Sequence, residues 1–186
     1  MMKKLIITLA IALVAFTTNA QEFNLGLSVA TPAGEASDLF SSAFILDAEY
    51  LYNISEKIKL GATTGYLFSV SNNDNINASI VGDNTVMVSS ISNAGFLPVA
   101  ASGRFMATKK FSFGGDVGYA FGLQPSNSEN GFYFALKTQY QIKDYLHLTA
   151  SFRSLTLDDN RDPTLFDVNN DSLILNYLSL GVLIKL

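Results

Sequence analysis

Between Phe111 and Leu123 the chain alternates without a break. Phe111, Phe113, Gly115, Val117, Tyr119, Phe121 and Leu123 form one set, almost wholly apolar and aromatic; Ser112, Gly114, Asp116, Gly118, Ala120 and Gly122 form the other, small or charged. Successive side chains of a strand point to opposite faces, so a strand here has one greasy face and one tight, polar face. An α-helix would scatter both sets around its axis. The run is 13 residues long, whereas a strand spanning a bilayer needs about 9–11.

The pattern recurs at 23–31, 43–54, 58–70, 95–107, 131–142, 145–156 and 172–186, which predicts eight strands. Their connections alternate in length. Ser55-Glu56-Lys57, Thr108-Lys109-Lys110 and Lys143-Asp144 are tight polar turns, whereas 32–42, 71–94, 124–130 and 157–171 are longer and rich in Asn, Asp, Ser and Gly. Short turns at one end and long loops at the other are the pattern of a transmembrane up-and-down barrel. Within 71–94, Ala78–Val81 and Thr85–Ser92 flank Gly82-Asp83-Asn84 as a hairpin would. The first piece is too short to span a membrane, so eight strands are expected rather than ten.

The start of the chain fits this reading. Met1–Lys4 is basic, Leu5–Phe16 is apolar, and Thr18-Asn19-Ala20 offers small residues for cleavage: a Sec signal peptide over 1–20, leaving a barrel domain over 21–186. Without Lys3 and Lys4, the 12 Lys+Arg become 10 against 16 Asp+Glu, a net charge of −6. That balance argues against nucleic-acid binding. There is no cysteine, so the fold must be held by its core, its hydrogen-bonded ladder and its solvent.

Volume decides which face is inside. An eight-stranded barrel is only wide enough for packed side chains, and the bulky Phe, Leu and Tyr set of every strand would overfill it. Lipid outside resolves this, with Tyr52, Phe68, Phe105, Phe121, Phe132 and Tyr140 forming interfacial girdles. The expected fold class is therefore all-β, an eight-stranded antiparallel up-and-down transmembrane β-barrel. The run Phe96-Leu97-Pro98-Val99-Ala100-Ala101-Ser102-Gly103-Arg104-Phe105, with Lys109-Lys110-Phe111 and Asp116–Phe121, resembles the outer-membrane β-barrel families common in Bacteroidota, and more distantly the OmpA/OmpX-type small barrels. The resemblance implies outer-membrane lipid and lipopolysaccharide as surroundings and the barrel-assembly machinery as a partner during insertion. It identifies no activity. Such chains often end in an aromatic residue; this one ends Ile184-Lys185-Leu186.

The inward register gathers Asp47, Glu49, Lys59, Arg104, Asp116, Lys137 and Arg153, with His147 and Lys185. Ionised groups in a narrow lumen need partners or water. Asp116 is expected beside Lys137 and diagonal to Arg104, with Glu49 and Asp47 reaching Lys59 or, across the lumen, Arg153. The cluster reads as a plug of salt bridges, the alternative being a narrow porin-like channel.

A lipid-modifying enzyme needs a nucleophile, base and acid within hydrogen-bond reach. His147 is the sole histidine and is followed by Leu148-Thr149, so the His and Ser one residue apart of lipid deacylases are not matched and no catalysis is expected. A secretion-accessory barrel shares the fold, and fold alone does not assign function. Asp167-Val168-Asn169-Asn170-Asp171 opens like a calcium loop, but Ser172 stands where Gly is needed and Leu178 where Glu is, so Asp167, Asn169 and Asp171 are weak metal candidates. The expectation is a Sec-exported, monomeric protein of a Gram-negative outer membrane without cofactor. Its role is structural or surface-interacting, and the sequence names no extracellular partner.

Overall fold

A computed structural model of the chain describes residues 21–72, 77–81, 85–89, 92–125, 129–157 and 173–186. The signal peptide expected at 1–20 lies outside them. Eight strands close into one antiparallel barrel: β1 (Gln21–Ala33), β2 (Phe40–Asn53), β3 (Ile58–Ser71), β6 (Ala94–Met106), β7 (Phe111–Gln124), β8 (Gly131–Lys143), β9 (Leu146–Leu157) and β10 (Leu173–Lys185). Each pairs with its sequence neighbour in the wall, and β1 closes on β10 from Asn24↔Lys185 to Ala33↔Asn176. Between β3 and β6, β4 (Asn77–Val81) and β5 (Thr85–Ser89) form a separate two-stranded sheet outside the wall. The barrel thus has eight strands and not ten.

Wall strands of 12–14 residues exceed the length needed to span hydrocarbon. Their outward set is the apolar one: Leu27, Leu46, Leu60, Val99, Val117, Leu136, Leu148 and Leu180 are all exposed. In water such a surface would be a severe aggregation hazard; against lipid it is solvated. Tyr52, Phe105 and Tyr140 ring the short-turn end, while Phe121 and Phe132 are exposed near the other and Phe68 is half-buried there.

Two of the short turns share one device. The Ser55 hydroxyl accepts from the Lys57 and Ile58 amides at 3.3 and 3.1 Å, and the Thr108 hydroxyl accepts from the Lys110 and Phe111 amides at 3.2 and 3.0 Å. Each turn therefore satisfies its own backbone donors locally.

The first long loop differs from expectation. Residues 32–42 are mostly strand and helix: β1 runs on to Ala33, Gly34 takes a positive φ of 61°, α1 (Glu35–Leu39) makes one short turn, and β2 begins at Phe40. Ala36 is completely buried, so α1 is held by docking onto the barrel mouth, where it packs on β1, β2 and β10. Five residues could not hold a helix alone.

Candidate functional site

Each wall strand sends at least one charged side chain into the lumen. β2 supplies Asp47 and Glu49, β6 Arg104, β7 Asp116, β8 Lys137 and β9 Arg153, all buried. β1, β3 and β10 supply Glu22, Lys59 and Lys185 nearer the short-turn mouth. The inward parity follows from the strand period, because the outward parity is fixed by lipid.

The central six, three carboxylates and three cations, form one connected and electrically neutral network. Arg104 ion-pairs with Glu49 and, at 2.8 Å, with Asp116. Lys137 lies 2.8 Å from Asp116, 3.4 Å from Glu49 and 3.7 Å from Asp47. Arg153 grips Asp47 with both terminal nitrogens, at 2.9 and 2.6 Å, the bidentate geometry that its planar fork favours. Neutral partners complete the set: Ser102 donates to Asp116 at 2.7 Å, Gln139 donates to Glu49 at 3.3 Å, and the Gly103 and Gly115 carbonyls accept from Arg104 at 2.9 and 3.1 Å. Buried charges are tolerated only when paired and hydrogen-bonded in this way.

Below this network, Glu22 holds Lys59 and Lys185, each at 2.7 Å. The Asn24 amide joins the two sets, donating to Glu22 at 3.2 Å and Glu49 at 3.5 Å. Alternation that starts at residue 23 leaves Glu22 out; the strand begins at Gln21, and the same alternation carried back one position places Glu22 inward.

The expected contact between Glu49 and Lys59 is not made. Glu49 faces Thr63 across the β2–β3 ladder, which puts Lys59 four residues nearer the turn, about 13 Å along the strand. Lys59 instead stands opposite Arg104. Glu22 and Glu49 draw these two like charges to separate partners.

The long-loop half of the lumen is mainly apolar. Ile45, Leu67, Phe96, Tyr133, Leu155, Leu175 and Tyr177 form a buried cluster under α1 and Phe40. The two tyrosines meet polar partners at its edge: Tyr133 accepts from Arg153 at 3.3 Å, and Tyr177 shares a 2.8 Å hydrogen bond with Ser69. Whereas 111–123 turns glycines and small residues inward, its neighbours at this end turn in bulky apolar groups.

Glycine sets the tightness of the wall around both halves. A Cβ on Gly61 would stand 1.8 Å from the Tyr50 carbonyl oxygen, and one on Gly114 would stand 1.9 Å from that of Gly103. The neighbouring backbones approach too closely there for any other residue.

His147 faces inward near the short-turn end, and its Nε2 is buried without a hydrogen-bond partner. Among the described residues, no hydroxyl is hydrogen-bonded to it. Asp167, Asn169 and Asp171 lie outside the described residues.

No family model and no curated protein sequence matches the chain. Solved structures do. The crystal structure of Ail, the attachment invasion locus protein of Yersinia pestis, is 12% identical over 91% of this chain and 100% of its own, with a TM-score of 0.53. The fold is that of a small membrane barrel. The same Yersinia protein in complex with the heparin analogue sucrose octasulfate aligns at 11% identity over 89% and 97% of the two chains, with a TM-score of 0.53. A de novo designed transmembrane β-barrel aligns at 11% identity over 91% and 98%, with a TM-score of 0.51. At such identities the likeness concerns architecture, and a designed protein among the neighbours underlines that architecture carries no activity with it.

Proposed function

We propose that the protein is an integral outer-membrane barrel of a Gram-negative bacterium, exported through Sec, whose interior is a closed structural core and whose long-loop end interacts at the cell surface. The observation that carries this is the double closure of the lumen. Any solute would have to part both the neutral ion network and the apolar cluster beneath α1. Lipopolysaccharide and the assembly machinery are its proposed partners in the membrane, and a monomer its proposed state.

The charge at the long-loop end restricts the surface partner. The segments between strands on that side hold Glu35, Asp38, Asp74, Asp83, Glu129, Asp158, Asp159, Asp162, Asp167 and Asp171 against Arg161 alone. The polyanion bound by the Yersinia neighbour would be repelled here, so the reading favours a partner that is not polyanionic. Catalysis is not part of the reading, because His147 has neither nucleophile nor orienting acid bonded to it.

Planar-bilayer recording of the purified protein tests the closure. The expected trace is flat; reproducible single-channel steps would establish the narrow pore instead. Deletion of 158–171 should leave membrane insertion intact while reducing binding of whole cells to a cognate surface.

A further inference from the structure

The lipid-facing wall is not uniformly bulky. At mid-height on β8 and β9, Thr138 and Ala150 stand side by side, and Ala150 faces Leu180 on β10. The rows on either side are large: Leu136 with Phe152 toward the long loops, Tyr140 with Leu148 toward the short turns. The small pair therefore floors a depression with two lobes, of about 520 and 440 Å³, which share Thr138, Ala150 and Leu180.

The lobe on the short-turn side is edged by Phe111 and Tyr140. Immediately beyond them lie Lys110 and Lys143, both exposed, on segments joined by the Gln141 amide donating to the Lys110 carbonyl at 2.7 Å. The Lys143 ammonium sits 5.8 Å above the Tyr145 ring and 3.5 Å from its hydroxyl. From Thr138 to Lys143 is five residues of strand, about 16 Å, or roughly 12–13 Å of depth at a tilt near 40°. One leaflet's share of a ~30 Å hydrocarbon core is about 15 Å. The groove floor thus lies near the midplane and its cationic rim at the headgroup level of one leaflet.

We propose that this groove is a binding site for a single phospholipid of the leaflet on the short-turn side. One acyl chain lies over Thr138 and Ala150, and the headgroup phosphate is held by Lys110 and Lys143. The apolar lobes accept a flexible chain, and the two exposed lysines at the short-turn edge supply charge complementarity to the phosphate. The convex wall of a second barrel would bridge the depression without filling it.

The proposal rests on membrane insertion, and its test separates the two. Wild type and variants are folded in micelles containing equal amounts of phosphatidylglycerol and phosphatidylcholine, folding is verified by heat-dependent gel mobility, and retained lipid is counted by native mass spectrometry. Failure to fold in micelles would count against the barrel reading; the lipid count from folded protein judges the groove. Wild type is expected to retain one phosphatidylglycerol. A150F, which fills the floor from the lipid side, should reduce retention about tenfold, the effect of losing roughly two buried methylenes. K110Q/K143Q should abolish the preference for phosphatidylglycerol over phosphatidylcholine. Unchanged retention in folded A150F, no retention in wild type, or a dimer that A150F disrupts would each overturn the proposal.

Discussion

Glu49 is the group on which the ionic core depends most. It is fully buried and receives Arg104, Lys137, Gln139 and Asn24. Glu49→Gln keeps the shape and removes the charge, leaving three cations facing Asp47 and Asp116. Breaking a buried ion pair by removing one partner costs about 3–5 kcal/mol, because the other charge is stranded. Arg104 and Lys137 both keep Asp116 at 2.8 Å, so the lower end of that range, about 3 kcal/mol, is expected here. Adding Lys137→Met restores neutrality, and replacement of a whole buried pair is commonly near neutral. The double variant should therefore be less destabilised than the sum of the singles by at least about 2 kcal/mol. The chain has no tryptophan, so urea unfolding from lipid vesicles is best followed by far-ultraviolet circular dichroism, with gel mobility reporting the folded fraction. A loss below about 1 kcal/mol for Glu49→Gln, or strictly additive effects, would refute the view that the lumen is held as a balanced ionic set.

Other perturbations test other parts of the barrel. Gly61→Val brings a side chain into the Tyr50 carbonyl; overpacking of this kind should cost at least about 2 kcal/mol and show as loss of the heat-modifiable folded band. Tyr177→Phe removes the hydrogen bond to Ser69 within the apolar half and should lower unfolding stability by about 1 kcal/mol in the same urea titration. Replacing residues 73–91 with a short Gly-Ser linker removes the β4–β5 sheet, which is separate from the wall. The midpoint of urea unfolding should shift little, within about 0.5 kcal/mol of stability.

The staves of the barrel were legible because lipid imposes a strict rule on one face. Alternation at 111–123 placed the start of β7 at Phe111, and the outward residues of the other wall strands were read with the same parity. The interior obeys no such rule. Leu155 between Ser154 and Thr156, or Tyr133 between Phe132 and Phe134, does not announce whether its neighbours across the lumen are charged or apolar. Those neighbours are set by the stagger of the whole wall. The same stagger carried Glu49 past Lys59 to Arg104 and Lys137, while the Asp116–Lys137 contact joins adjacent strands and could be counted from the 124–130 loop between them. Helix α1 left no periodic trace, since its single turn is fixed by burial of Ala36 rather than by its own sequence.

A filled interior has a mechanical consequence. Transmission of a signal through a protein needs an element with two arrangements of similar free energy. In this barrel the ion network is charge-balanced, its members are anchored to neighbouring staves, and the half above it is close-packed. A pull on the loops at one end is borne by the hydrogen-bonded ladder and spread over all eight strands. Among the described residues it meets no hinge or sliding joint in the lumen that could convert it into a change of shape on the far side. On the closed-core reading proposed above, such a body would act as a post set in the membrane, with a load on its loops borne by the wall and not passed through the lumen.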